Sequence, residues 1–310
     1  MLTAANRLVP LLFVLLLAGC SSLLFFPEPG QPLTPRQAFG LDYQDIRLTA
    51  GDGVALHAWW LPVRSGRKVQ GTLLFLHGNG GNLAWHLGAV AWLPAMGYQV
   101  LLLDYRGYGL SQGSPVLPEV YLDIEAAFRW LARRPEVQNR PLVLLGQSLG
   151  GALGLHYLAA HPQQRQQLQA LVLDGVPARY RPVARHLLGQ NALTWALQWP
   201  LAGLVTDRDS AVAAIGQMGG LPLLIYHSID DEVVPFSNAL ALYRAAPAPR
   251  VLQPVRGGHA QTFASPAWRE LLLRYLQDPA GFTGIRPLLE RPYSFQGKKN
   301  SFPERLPGDS

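Results

Sequence analysis

Between residues 43 and 255, short and continuously apolar runs alternate with stretches of helical period. The runs TLLFLHG (72–78), QVLLLDYRG (99–107), PLVLLGQS (141–148), QALVLDGV (169–176), LPLLIYHS (221–228) and RVLQPV (250–255) are apolar at successive rather than alternate positions. A strand that is apolar on both faces is buried on both, the condition of a parallel sheet between two helix layers. Two earlier runs, YQDIRLT and VALHAWWLPV, flank Ala50-Gly51-Asp52-Gly53. Its Asp-Gly pair supplies the positive φ of a hairpin turn, so an antiparallel pair precedes the parallel strands. The pattern thus predicts an α/β domain over 43–280 with a mostly parallel, eight-stranded sheet. Its clearest helix is PEVYLDIEAAFRWLARRP, with Val120, Ile124, Ala127, Phe128 and Leu131 on one face and Pro118 in its first turn. Glu119 and Asp123 lie toward its start and Arg129, Arg133 and Arg134 toward its end, matching the helix dipole, and Pro135 stops it. Residues 177–220 form an insertion between the sixth and seventh strands. The tail, 281–310, has no period and is expected to be loose.

Composition narrows the classes. With 310 residues, 49% hydrophobic and 15% charged, the chain can bury a large core, and disordered or collagen-like readings fall away. One cysteine excludes an intramolecular disulfide and any multi-cysteine zinc or iron–sulfur site, so no metal and no cofactor is expected. The net charge of +6 comes from 23 Arg against 3 Lys, scattered rather than blocked, so a nucleic-acid partner is not expected. At the start, Arg7 precedes LVPLLFVLLLAGC, an apolar run of signal-peptide length that predicts removal of residues 1–19. Leu17-Ala18-Gly19-Cys20 resembles a bacterial lipobox, and the chain's one cysteine stands at the lipidated position. The resemblance implies a mature protein beginning at lipidated Cys20 in the cell envelope. Ser21 in the next position implies the outer membrane, periplasmic face, in a Gram-negative source. The other reading is a retained anchor helix, because apolar character resumes at Leu23–Phe26, although Pro10, Gly19, Ser21 and Ser22 interrupt it. Residues 20–42, with Pro27, Pro29, Pro32 and Pro35, then read as an extended spacer.

The candidate chemistry begins at Gly146-Gln147-Ser148-Leu149-Gly150, which joins the strand run 141–145 to the helical GALGLHYLAAHP. A G-x-S-x-G elbow needs glycines where the turn is too crowded for a Cβ, and it presents its serine at the head of a helix. Gly109-Leu110-Ser111-Gln112-Gly113 matches the same pattern, but Pro115 and Pro118 follow before any helical period starts. Ser111 therefore reads as a loop residue and Ser148 as the nucleophile.

HGNGGN (77–82), DYRGYG (104–109), GQSLG (146–150), DDEVVP (230–235) and GGHA (257–260) together resemble the α/β-hydrolase superfamily over residues 43–278, specifically its small-cap bacterial members similar to serine aminopeptidases and lysophospholipases. The resemblance makes 177–220 a short cap and implies a triad in the order Ser, acid, His. A serine hydroxyl needs a base within hydrogen-bond reach and a carboxylate that orients the base. His259, after the eighth strand, fills the base position. Asp231 keeps the family's spacing to Pro235, with Asp230 and Asp174 as rivals, while Ser228 replaces the family's usual glycine. The remaining histidines read as structural: His57 in the hairpin, His86, His156, His161 and His186 in helical stretches, His227 in a strand, and His77 shaping its loop. Oxyanion donors are expected from the backbone N–H of Leu149 and, by resemblance, of Asn79. HGNGGN lacks the Lys-Ser/Thr ending of a phosphate loop and the spacing of a dinucleotide loop. DYRGYG is expected to form a tight turn beside the site. In the cap, Trp195 and Trp199 are one helical turn apart and predict a helix packed on the core or, alternatively, an acyl-pocket wall or a lipid contact. The expected activity is hydrolysis of a small acyl ester, thioester or lipid-like substrate at the membrane. An amidase or aminopeptidase of the same mechanism, and a catalytically idle binding protein on the same fold, are the alternatives.

Overall fold

Each inner parallel strand is buried along its whole length, and its alternate residues serve two separate cores. The computed structural model describes residues 24–190 and 192–283. Its strands are β1 (Gln44–Thr49), β2 (Ala55–Leu61), β3 (Gly71–Leu76), β4 (Tyr98–Leu103), β5 (Leu142–Gln147), β6 (Ala170–Asp174), β7 (Leu223–Ser228) and β8 (Arg250–Val255). On one face Leu74, Leu101, Leu144, Leu171 and Ile225 meet one helix layer. On the other, Phe75, Leu102, Leu145, Val172 and Tyr226 meet the second. This two-sided burial is why the runs are continuous in the sequence.

The helices are α1 (Pro35–Phe39), α2 (Leu83–His86), α3 (Val120–Ala132), α4 (Leu149–Ala160), α5 (Pro162–Gln167), α6 (Tyr180–Gln190), α7 (Gln198–Gly203), α8 (Ala211–Ile215), α9 (Ser237–Ala245) and α10 (Pro266–Gln277). None of the described helices is long and apolar enough to cross a membrane. The strand order is β1-β2-β4-β3-β5-β6-β7-β8, with β1 antiparallel to β2, β2 antiparallel to β4, and the rest parallel. The chain runs from β3 outward to β4 and then returns across β3 to β5. Connections leave in opposite directions there, and the crevice outside the carboxyl ends of β3 and β5 is where such sheets bind ligands.

Two local expectations are corrected. Helix α3 begins at Val120, so Pro118 precedes it. Its Asp123 lies in the first turn as expected, and it is fully buried, where Arg106 reaches it from the loop after β4. The stretch expected as an extended spacer is neither wholly extended nor detached. Thr34 and Gln37 form a reciprocal capping box on α1, and Phe25 is buried against the domain. Residues 24–30 form a strap across two loops at the sheet's carboxyl edge, with bridges from Pro27 to Gly81 and from Pro29 to Gly109. The leader, Cys20 and the tail beyond Thr283 lie outside the described residues.

Candidate active site

The turn between β5 and α4 is set by exclusion of side chains. A Cβ on Gly146 would overlap the backbone of Gly151, and one on Gly150 would overlap the carbonyl oxygens of Leu76 and His77. Glycines at both places let β5, α4 and the loop after β3 close on one another. Ser148 between them adopts φ 50° and ψ −119°, a conformation an L-residue occupies only when its surroundings enforce it. Its N–H donates to Asp174 O at 2.8 Å, which pins the elbow to the end of β6.

Ser148 Oγ lies 2.8 Å from His259 Nε2, and His259 Nδ1 lies 2.7 Å from Asp231 Oδ2. These three side chains come from three separate strand ends. The Asp231 side chain is fully buried, whereas that of His259 is 19% exposed. Asp231 Oδ1 accepts from Val233 N–H at 2.9 Å and Val234 N–H at 2.8 Å. Burial raises the Asp231 pKa, but the bond from His259 and the backbone donors outweigh it and hold the carboxyl below its usual range. It is therefore an anion aimed at the imidazole. The rivals are placed elsewhere. Asp230 is turned toward Arg256 at 3.5 Å, and Asp174 accepts from Thr262 Oγ1 and Gln147 Nε2. Ser228, in place of the family's glycine, donates to Gly257 O at 2.6 Å and accepts from Asp230 N–H, tying together the loops that carry the acid and the base. Ser111 Oγ accepts from His57 N–H and donates to Asp104 O, so it closes its loop.

Loop 77–82 faces the nucleophile: the Cβ position of Gly78 is 3.4 Å from Ser148 Cβ. The side chain of Asn79 is held by the strap, its own loop and Tyr108. Its Oδ1 accepts from Phe26 N–H, Gly80 N–H and Tyr108 Oη–H, and its Nδ2 donates to Leu24 O at 2.6 Å. Asn82 Nδ2 donates to Glu28 O and Gly30 O. Two side-chain amides thus pair with the strap as a neighbouring strand would. Glu28 N–H donates to Gly81 O, and Gly109 N–H donates to Glu28 O.

DYRGYG supports the same loop from the other side. Tyr105 Oη donates to His77 O at 3.0 Å, and Leu83 N–H donates to Asp104 Oδ1. His57 stands between Asp45, at 2.9 Å, and Asp104, at 3.5 Å. Burial lowers the His57 pKa, but the two carboxylates outweigh it and the net shift is upward.

Sequence reasoning placed His86 among structural histidines and missed its position. The ring stacks on His77, with Nε2 3.1 Å from Gly80 O and Nδ1 3.2 Å from Gln147 Oε1. It bridges the loop after β3 to the elbow. Burial and the neighbouring His77 push its pKa down to about 4. A helical context of four residues gave no sign of this.

A cleft of about 410 Å³ beside His259 is lined by Asp230, Glu232, Val233, Gly257, Gly258 and His259. The cap closes on it from α6, where His186 Nε2 and Gln190 Nε2 lie 3.0 and 3.1 Å from Glu232 O. Trp195 and Trp199 do not pack on the core: both are largely exposed, and Arg185 lies 4.2 Å over the Trp199 ring.

Comparison with known proteins agrees with this architecture. The family model for the alpha/beta hydrolase fold matches residues 71–201. The YfhR protein of Salmonella typhi is 30% identical over 294 residues, covering 88% of this chain and 96% of the relative. The chain belongs to the α/β-hydrolase superfamily. The alpha/beta hydrolase domain-containing protein WAV2 of Arabidopsis thaliana is 31% identical over 252 residues, 76% of this chain and 78% of that protein. Among solved structures, an esterase of Pyrococcus furiosus superposes with a TM-score of 0.69 at 20% identity, covering 83% of this hydrolase-fold chain and 99% of that one. An esterase of Exiguobacterium antarcticum gives 0.57 at 19% identity, covering 76% and 100%. The fold and its eight-stranded, mostly parallel sheet are thus as the sequence predicted.

Proposed function

We propose that this protein is a serine hydrolase that cleaves carboxylic esters or thioesters through an acyl-enzyme on Ser148. The observation that carries the reading is the continuous line from Ser148 Oγ through His259 to buried Asp231, at 2.8 and 2.7 Å. Ser148 Oγ attacks the acyl carbon as His259 Nε2 takes its proton, and anionic Asp231 stabilises the imidazolium at Nδ1. The negative charge passes to the former carbonyl oxygen, where the backbone N–H groups of Leu149 and Asn79 are the proposed donors. Collapse expels the alcohol or thiol, which leaves with the proton from His259. Water then repeats the sequence on the acyl-enzyme, and the acid is released. The esterases among the structural neighbours support the ester reading over the amide one.

The same proposal places the protein on the bacterial envelope, anchored through acyl chains on Cys20. Each buried methylene contributes about 0.8 kcal/mol, so two or more chains hold stably where one does not. Metabolic labelling with a clickable fatty acid checks this: label is expected in the wild type and absent in Cys20→Ser. An unlabelled, full-mass wild type that resists carbonate extraction overturns it.

The chemistry is tested with a fluorophosphonate probe and a series of p-nitrophenyl esters set beside aminoacyl anilides. Labelling and ester turnover are expected in the wild type and lost in Ser148→Ala, while Ser111→Ala stays within a few-fold. Labelling that persists in a folded Ser148→Ala protein overturns the assignment, and preferential turnover of the anilides replaces esterase with amidase.

A further inference from the structure

Parallel strands end at one edge of their sheet, so the loops after β3, β4, β6 and β7 share that edge with Ser148. Four of the five strongly exposed aromatic side chains among the described residues belong to these loops or to the strap, the fifth being Phe39 in α1. Phe26, Trp85, Trp195 and Trp199 are 66%, 64%, 62% and 66% exposed. Trp85 lies in α2 after β3, and its ring packs against Gly81. Trp195 and Trp199 lie in the cap after β6, with exposed Leu197 and Leu204 beside them. Phe26 belongs to the strap that Asn79 holds. Because α6 is bonded to the Asp231 loop and the strap to loop 77–82, these rings belong to elements tied to the two loops that border the elbow.

Two further observations say what covers this edge. Between residues 177 and 220 the cap carries Arg179, Arg181, Arg185 and Arg208 against Asp207 and Asp209, and Arg185 stacks on Trp199. Indole rings mixed with basic groups match the headgroup layer of an anionic bilayer, where aromatic rings lie at the interface and guanidinium groups meet phosphates. The second is where the chain outside the structure joins the fold. The described chain starts at Leu24, whose carbonyl is held by Asn79. Three residues lie between it and Cys20, and four residue steps span at most about 14 Å. An acyl anchor at Cys20 can sit no farther than this from the loop beside the nucleophile.

We infer that the carboxyl edge of the sheet, which carries Ser148, docks on an anionic phospholipid surface, with Trp85, Trp195 and Trp199 at headgroup depth. The inference rests on the proposed anchor and hydrolase activity, and it adds orientation: esters whose acyl chains lie in the bilayer reach Ser148 without first leaving it.

The test uses the full, lipidated chain in vesicles of phosphatidylcholine with phosphatidylglycerol. A fluorophore is attached through Trp85→Cys or Trp199→Cys on the docking edge, or through Met96→Cys, exposed just before β4 at the opposite edge. Nitroxide-labelled phospholipid is expected to quench the first two several-fold more than the third. The double variant Trp195→Ser/Trp199→Ser is expected to keep turnover of p-nitrophenyl acetate within a few-fold and to lose tenfold or more on a vesicle-embedded ester. Equal quenching at both edges, no quenching at either, or burial of the edge by a second copy shown by cross-linking overturns the docking. Edge-selective quenching in a wild type that hydrolyses no soluble ester leaves the docking standing and removes the hydrolase reading.

Discussion

Asp230 and Asp231 are adjacent in sequence and opposite in circumstance. Asp231 is buried, accepts two backbone N–H groups and meets His259, whereas Asp230 faces solvent and Arg256. Asp231→Asn keeps the volume and removes the charge that stabilises the imidazolium, so kcat is expected to fall by about 10⁴, while Asp230→Asn stays within a few-fold. Steady-state kinetics of the two variants, with circular dichroism as the check on folding, decide it, and equal large losses contradict the placement. His86 is the second informative residue. Its pKa is pushed down to about 4 in the folded protein, against 6.5 for the free side chain. Between these values the unfolded chain binds the proton that the folded one refuses. Stability is therefore whole above about pH 6.5 and falls as the pH drops toward 4, by about 3 kcal/mol in all from this group. His86→Gln lacks this term. Its urea unfolding free energy is expected to change less than that of the wild type between neutral pH and about pH 4.

At the scale of elements, what was legible in the sequence depended on how local its cause was. The strands from β3 to β7 could be read because burial on both faces leaves an unbroken apolar run. The elbow at Ser148 could be read because its glycine spacing is local and Gly146 is crowded by Gly151 five residues on, although the crowding at Gly150 comes from the distant Leu76 and His77. Asp123 could be placed in the first turn of its helix by the dipole rule, but nothing nearby reveals that it is buried and that Arg106 binds it. The strap was missed for the same reason. Its prolines suggest a spacer, and its partners Asn79 and Asn82 lie more than fifty residues away. As a detached spacer it would be dispensable, and a chain beginning at Gln37 would keep full activity. Since the strap clamps the loop that carries the proposed second oxyanion donor, removal of residues 1–30 is expected to lower kcat tenfold or more with a smaller change in KM. A chain beginning at Leu24 should keep its rate. One such donor is worth about 10²–10³ in kcat, so a displaced loop has room to show this loss. Equal kcat for the two truncations would show that the clamp plays no part in turnover.

Across the whole molecule, the structure joins its most distant parts at one edge: the first described residues, the cap, and the ends of β3, β5, β7 and β8. The strap has a kinetic consequence as well. Its bond from Phe26 N–H to Asn79 closes a loop of 53 residues, and that from Asn82 to Gly30 one of 52. Contacts of such separation give back nothing until the intervening chain is ordered. The hairpin β1–β2, by contrast, needs only its own turn. Although residues 24–30 are synthesised first, they are expected to be among the last to settle, after the β3–β4 unit has built the surface that receives them. Pulse-labelled hydrogen exchange during refolding reads this directly. Protection of the Phe26 and Glu28 amides should lag that of Leu74 and Leu101, so that for part of the folding time the sheet stands complete while the loop beside Ser148 still lacks its clamp.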